Sequence, residues 1–70
     1  MIELKGTIVR WFRYRGFGFI DPEEGEEDIF CHISEINYEV EPLEGQEVKF
    51  EVEPSWKGPR ATNVELVINN

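Results

Sequence analysis

The residues with chemistry to offer are aromatic and cationic. "RGFGFI", residues 15–20, sets Phe17 and Phe19 two apart behind Arg15, with Gly16 and Gly18 interleaved. "DIFCHI", residues 28–33, sets Phe30 and His32 two apart behind Asp28. Residues two apart share one face of a strand, so each stretch presents a pair of rings. In the second stretch the alternate set, Ile29, Cys31 and Ile33, is the natural core face. Phe17, Phe19, Phe30 and His32 then face outward together; turning the rings inward would expose the aliphatic set and bury His32. An outward cluster of rings marks a binding surface. Trp11 and Phe12 are adjacent, so alternation sends one in and one out. The expectation is Trp11 outward, near Phe17, with Phe12 partly covered.

Rings rimmed by Arg and Lys suit unpaired nucleic acid. Every base has a π-face, and each stack contributes roughly 1–3 kcal/mol with little regard to sequence. Cations follow the phosphates and release counterions; the candidates are Arg10, Arg13, Arg15, Lys57 and Arg60. Catalysis fits poorly. Cys31 and His32 are neighbours, so strand geometry sends them to opposite faces and they cannot form a nucleophile–base pair. One Cys and one His exclude the usual four-ligand zinc site. The acids of 23–28 read as a solvated loop. No metal, cofactor or small-molecule substrate is expected.

The net charge of -8 argues against a nucleic-acid partner until its distribution is considered. Residues 1–20 carry a balance of +3, residues 21–53 a balance of -12, and residues 54–70 a balance of +1. The basic residues thus gather in two stretches near the ends of the chain, a sign of a binding face. The apolar runs are too short to span a membrane, and "MIELKG" lacks a signal pattern. A cytoplasmic monomer is the simplest expectation.

The elements that must position these side chains are strands. Period-2 alternation recurs, and no long segment has helical spacing. Strands are expected over 4–13, 15–20, 28–33, 47–53 and 61–68. "EVKFEVE" alternates Val48, Phe50 and Val52 against charged residues. Pro22 stops the second strand, and Ser34 caps at most one short helical turn. Seventy residues form one domain, 1–70, with no room for a second layer. The sheet must therefore curl on itself: an all-β, five-stranded antiparallel barrel.

"RWF" followed by "RGFGFI", "DIFCHISEI", "LEGQEVKFEV" and "GPRATNV" stand in the order of the cold-shock domain. The chain resembles that family over about residues 5–65; "RGFGF" alone is only a partial match to an RNA-binding pattern. The resemblance implies an OB-fold barrel and ligand contacts at Arg10, Trp11, Phe12, Arg15, Phe17, Phe19, Asp28, Phe30, His32 and Lys57. It implies low-specificity, pyrimidine-leaning binding of single-stranded RNA and DNA, and RNA-chaperone activity. There are departures. The turn "RYR" is one residue short, and Arg13 replaces the family's asparagine. Ile33 stands where a stacking phenylalanine is usual. "NYEVEP" is shortened, with Tyr38 in place of the family's aromatic there. Trp56 is an extra ring, either an added base subsite or a side chain packed on its own loop. The rival reading is a protein-interaction barrel, docking a basic partner through the acidic stretch 21–53 and the aromatic patch.

Overall fold

The computed structural model describes residues 3–38 and 41–68. Five strands run in the order β1 (Leu4–Phe12), β2 (Phe17–Pro22), β3 (Ile29–His32), β4 (Glu47–Glu53) and β5 (Arg60–Leu66). A single 3-10 turn, Ile33–Glu35, follows β3. The strands close into a barrel in the spatial order β1-β2-β3-β5-β4. β1 pairs antiparallel with β2 and β4, β2 with β3, and β4 with β5. The closing pair differs from the all-antiparallel expectation: β3 and β5 run parallel, in register at Phe30 and Arg60. The reason is arithmetic. Strands in a ring of odd number cannot all alternate in direction, so one seam must be parallel.

The core follows from alternation. Ile8, Ile20, Cys31, Val48, Val64 and Ala61 are fully buried, Phe50 nearly so, with Ile29, Ile36 and Trp11 completing the cluster. No buried polar or charged residue occurs among the described residues. The short strands supply inward side chains at every second position, and bulges alter that count twice. In β1 the register slips between Ile8, opposite Ile20, and Arg10, opposite Phe19. Val9 is the extra residue, so Ile8 and Trp11 both point inward although they are three apart. In β5, Ala61 and Val64 are likewise both buried, and Asn63 between them has φ of 51°.

The element boundaries shift in physically readable ways. Arg13 lies in the β1–β2 turn, where Arg15 N and Gly16 N both donate to Phe12 O at 3.0 Å. Pro22 is the last residue of β2, opposite Gly6 and buried. Ile33 leaves the strand for the 3-10 turn and packs against the core from its rim. That turn is capped by His32, not Ser34: His32 Nδ1 accepts from Ser34 N at 3.1 Å. Val52, expected inside, is exposed near the end of β4. No helix among the described residues is long and apolar enough to cross a membrane.

Candidate nucleic-acid interface

Three strands build one outward face. Register sets Phe12 opposite Phe17 and Phe17 opposite His32, forming one row across β1, β2 and β3. A second row runs Arg10, Phe19, Phe30, and reaches Arg60 across the parallel seam. The four phenylalanines are each partly exposed, and His32 is exposed. Ring centroids lie 5.0 Å apart for Phe12 and Phe17, 5.7 Å for Phe17 and Phe30, and 6.5 Å for Phe30 and His32. All three pairs are tilted by 31° to 36°. Phe19 stands edge-on to both Phe17, at 6.4 Å, and Phe30, at 6.0 Å. These edge-to-face contacts hold the rings in place while leaving outer faces open.

The structure reverses the expected orientation of one pair. Trp11 is buried, at 8% exposure, and Phe12 takes the outward place against Phe17. The bulge at Val9 is the cause. Two carboxylates secure the arrangement: Trp11 N donates to Glu44 Oε2 at 3.1 Å, and Trp11 Nε1 donates to Glu41 Oε1 at 3.3 Å. Gly18 makes room for the indole, since a Cβ there would lie 2.5 Å from Trp11 Cε3 and overlap the Arg10 carbonyl oxygen. Trp11 therefore belongs to the core rather than to the outward face.

The cations divide into free and engaged. The Arg10 guanidinium lies over the Phe12 ring, 5.6 Å from its centroid, and Arg15 is exposed in the turn. Lys57 Nζ lies 5.0 Å from the Trp56 ring centroid. Arg13 stays largely in solvent but sits 3.9 Å from Glu41. Arg60 is pinned: Nη2 donates to Glu35 Oε2 at 3.2 Å, and Nε lies 3.6 Å from Glu53 Oε1 without a hydrogen bond. Its guanidinium is thus paired with two carboxylates. Asp28 is exposed at the foot of β3.

The remaining expected rings separate. Tyr38 does not join the patch; it borders a different depression, beside Lys49, Glu65 and Ile68. Glu39 and Val40, in the shortened stretch, lie outside the described residues. Trp56 is not packed on its loop but is 91% exposed. Sequence reasoning missed Tyr14, which is fully exposed between Arg13 and Arg15 beside Phe12; its place between two arginines in a tight turn was the available signal. It also missed Glu41 and Glu44, whose role depends on a neighbour about thirty positions away.

His32 Nδ1 also lies 2.9 Å from Ser34 Oγ. Because Nδ1 accepts from the Ser34 amide, the neutral ring carries its proton on Nε2, away from the backbone. Cys31 lies on the other side of the strand, fully buried. Burial, with Glu35 adding a smaller repulsion, pushes its thiol up to about 12, the opposite of an activated nucleophile. No group of three or more metal-ligating side chains occurs among the described residues.

The family model of the "Cold-shock" DNA-binding domain matches residues 4–67. The chain is 44% identical over 70 residues to the cold shock-like protein CspC of Escherichia coli K12, covering 96% of this chain and all of that protein. It is 48% identical over 67 residues to the cold shock-like protein CspE of Buchnera aphidicola from Acyrthosiphon pisum, covering 91% of this chain and 96% of that protein. Among solved structures, Drosophila Unr CSD456 superposes with a TM-score of 0.83 at 26% identity, over 99% of this chain and 28% of that one.

Proposed function

The chain belongs to the "Cold-shock" DNA-binding domain family, and on that premise we propose that it binds single-stranded RNA and DNA by stacking unpaired bases on Phe12, Phe17, Phe19, Phe30 and His32. The observation that carries this reading is the spacing of the rings. Neighbouring centroids on the face lie 5.0–6.5 Å apart, whereas stacked bases in a duplex follow at about 3.4 Å per nucleotide. Successive bases can meet successive rings only after leaving their own stack. A surface that engages only the unpaired state shifts the paired–unpaired equilibrium toward it, which is RNA-chaperone activity without nucleotide hydrolysis. Because every base offers a π-face and the patch carries few polar groups, discrimination among bases is weak, and a pyrimidine leaning reflects the lower cost of unstacking. The protein acts as a monomer, with no cofactor, in the cytoplasm.

Arg10, Arg15 and Lys57 are the cations left to follow phosphate. Three contacts on a single strand give a log–log salt slope of about -2, shallow because stacking carries most of the affinity and the acidic loops repel. The test is fluorescence anisotropy with a labelled oligothymidylate and the matching duplex. The single strand binds and the duplex does not. Phe17→Ala combined with Phe30→Ala removes two stacks and weakens single-strand binding about 30-fold or more. Unchanged affinity in that variant refutes the stacking reading and turns attention to a protein partner.

A further inference from the structure

The β4–β5 loop carries two features that the platform does not explain. Ser55 and Gly58 exchange backbone hydrogen bonds, Ser55 N to Gly58 O at 3.1 Å and Gly58 N to Ser55 O at 3.0 Å. The Ser55 hydroxyl also donates to Gly58 O, and Lys57 N donates to Ser55 Oγ at 3.3 Å. A two-residue tip, Trp56 and Lys57, is thereby held in a braced turn. The tip has no core role, since Trp56 is almost wholly in solvent. Exposing an indole forgoes one of the largest hydrophobic gains available to any residue, so a braced, bare indole asks for an occupant.

The second feature is a cavity. A concavity of about 550 Å³ lies between the sheet and this loop, with Phe19 and Phe30 on the sheet side and Trp56, Lys57 and Arg60 on the loop side. It is continuous with the platform because it shares Phe19 and Phe30. Its size falls within the ordinary range for small-ligand sites, about 300–1,000 Å³. The Lys57 ammonium covers the Trp56 ring, supplying positive charge at the rim, while the pinned Arg60 forms a neutralised wall.

We propose that this cavity is a terminal nucleotide subsite in which one unpaired base is enclosed between the Trp56 indole and the Phe19–Phe30 rings, with its phosphate at Lys57. Elsewhere on the face a base meets aromatic side chains from one direction only; here the loop adds a second wall. The subsite thereby encloses the terminal base of the bound strand, at the β5 side of the sheet. It rests on the stacking reading, because the enclosed base must be continuous with bases on the platform.

The experiment measures affinity for oligothymidylates of about 3 to about 9 nucleotides, by anisotropy, for the unaltered protein, Trp56→Ala, Trp56→Phe and Phe17→Ala with Phe30→Ala. Trp56→Ala removes a solvent-exposed side chain, and circular dichroism checks that the barrel is intact. The expected result is a gain in affinity when the oligomer becomes long enough to reach the loop. Trp56→Ala abolishes that gain, a loss of about tenfold for the longest oligomer. It leaves the shortest unchanged, and Trp56→Phe restores most of the gain. Equal affinity of Trp56→Ala and the unaltered protein at every length overturns the subsite and leaves the platform standing. An equal loss at every length also overturns it, because Trp56 then acts on the whole face. If the Phe17–Phe30 variant leaves the shortest oligomer unaffected, the platform falls, and the subsite with it.

Discussion

Gly18→Ala tests the link between packing and site most directly. A Cβ at position 18 would lie 2.5 Å from Trp11 Cε3, would overlap the Arg10 carbonyl oxygen, and would sit 3.1 Å from the Arg10 carbonyl carbon. Neither neighbour retreats easily. Arg10 is held in the β1–β2 ladder opposite Phe19, and the indole is fixed by Glu41 and Glu44. Overpacking costs about 1–3 kcal/mol and occasionally more, and a backbone obstacle places this case at about 3 kcal/mol. A chain of this length has only about 3.5–10 kcal/mol of stability to lose. At roughly 4–8 °C per kcal/mol for a domain of this size, Tm falls by roughly 12–24 °C. Gly45→Ala is the control: no atom lies within 4 Å, so only its positive φ of 94° is penalised, at about 1–2 kcal/mol. Thermal unfolding followed by circular dichroism measures both. In a Trp56→Phe background, iodide quenching reports Trp11 alone, and Gly18→Ala raises its accessibility as the indole is displaced. Equal Tm values for the two glycine variants, or an unchanged quenching constant, refute the inward indole and the close approach behind it.

Two further outcomes follow from the same geometry. Deleting Val9 removes the bulge but leaves every pairing beyond it unchanged, since Ile8, Arg10, Trp11 and Phe12 already stand opposite Ile20, Phe19, Gly18 and Phe17. Trp11 then stays inward and shielded from iodide, Phe12 stays outward, and an iodide-accessible Trp11 refutes Val9 as the bulged residue. The Cys31 thiol is held up at about 12 against an ordinary value of 9.0, so burial favours its neutral form. That contribution to stability is complete below about pH 9 and is lost as pH rises toward about 12. Accordingly, Cys31→Ala flattens the alkaline fall in stability measured by denaturant titration, and a thiol reagent at pH 8 labels the native protein far more slowly than the unfolded chain.

Much of the site was legible because β2 and β3 lack bulges across their rings. Where the period is strictly two, the identity of the core set decides the identity of the outward set: Ile29 and Cys31 inside require Phe30 and His32 outside. The same count fails in β1, where one extra residue inverts everything beyond it. Trp11 was misplaced for that reason, and Gly18, which looks like a weak strand residue, exists to admit the indole. Ile33 opens the 3-10 turn because His32 Nδ1 caps it through Ser34 N and Ile36 N donates to Ile33 O at 3.1 Å, contacts that alternation does not register.

Local pattern therefore determined the strand content, the closed all-β architecture and the direction of Phe17, Phe19, Phe30 and His32, because period-2 burial is written residue by residue. Only tertiary structure decided the rest. The bulge chose Phe12 over Trp11, and Glu35 and Glu53 consumed the charge of Arg60. The barrel's curvature carried Tyr38 away from the rings and brought Trp56 toward them. Each of these depends on which distant backbone or carboxylate arrives beside a residue, and that is set when the odd ring of strands closes.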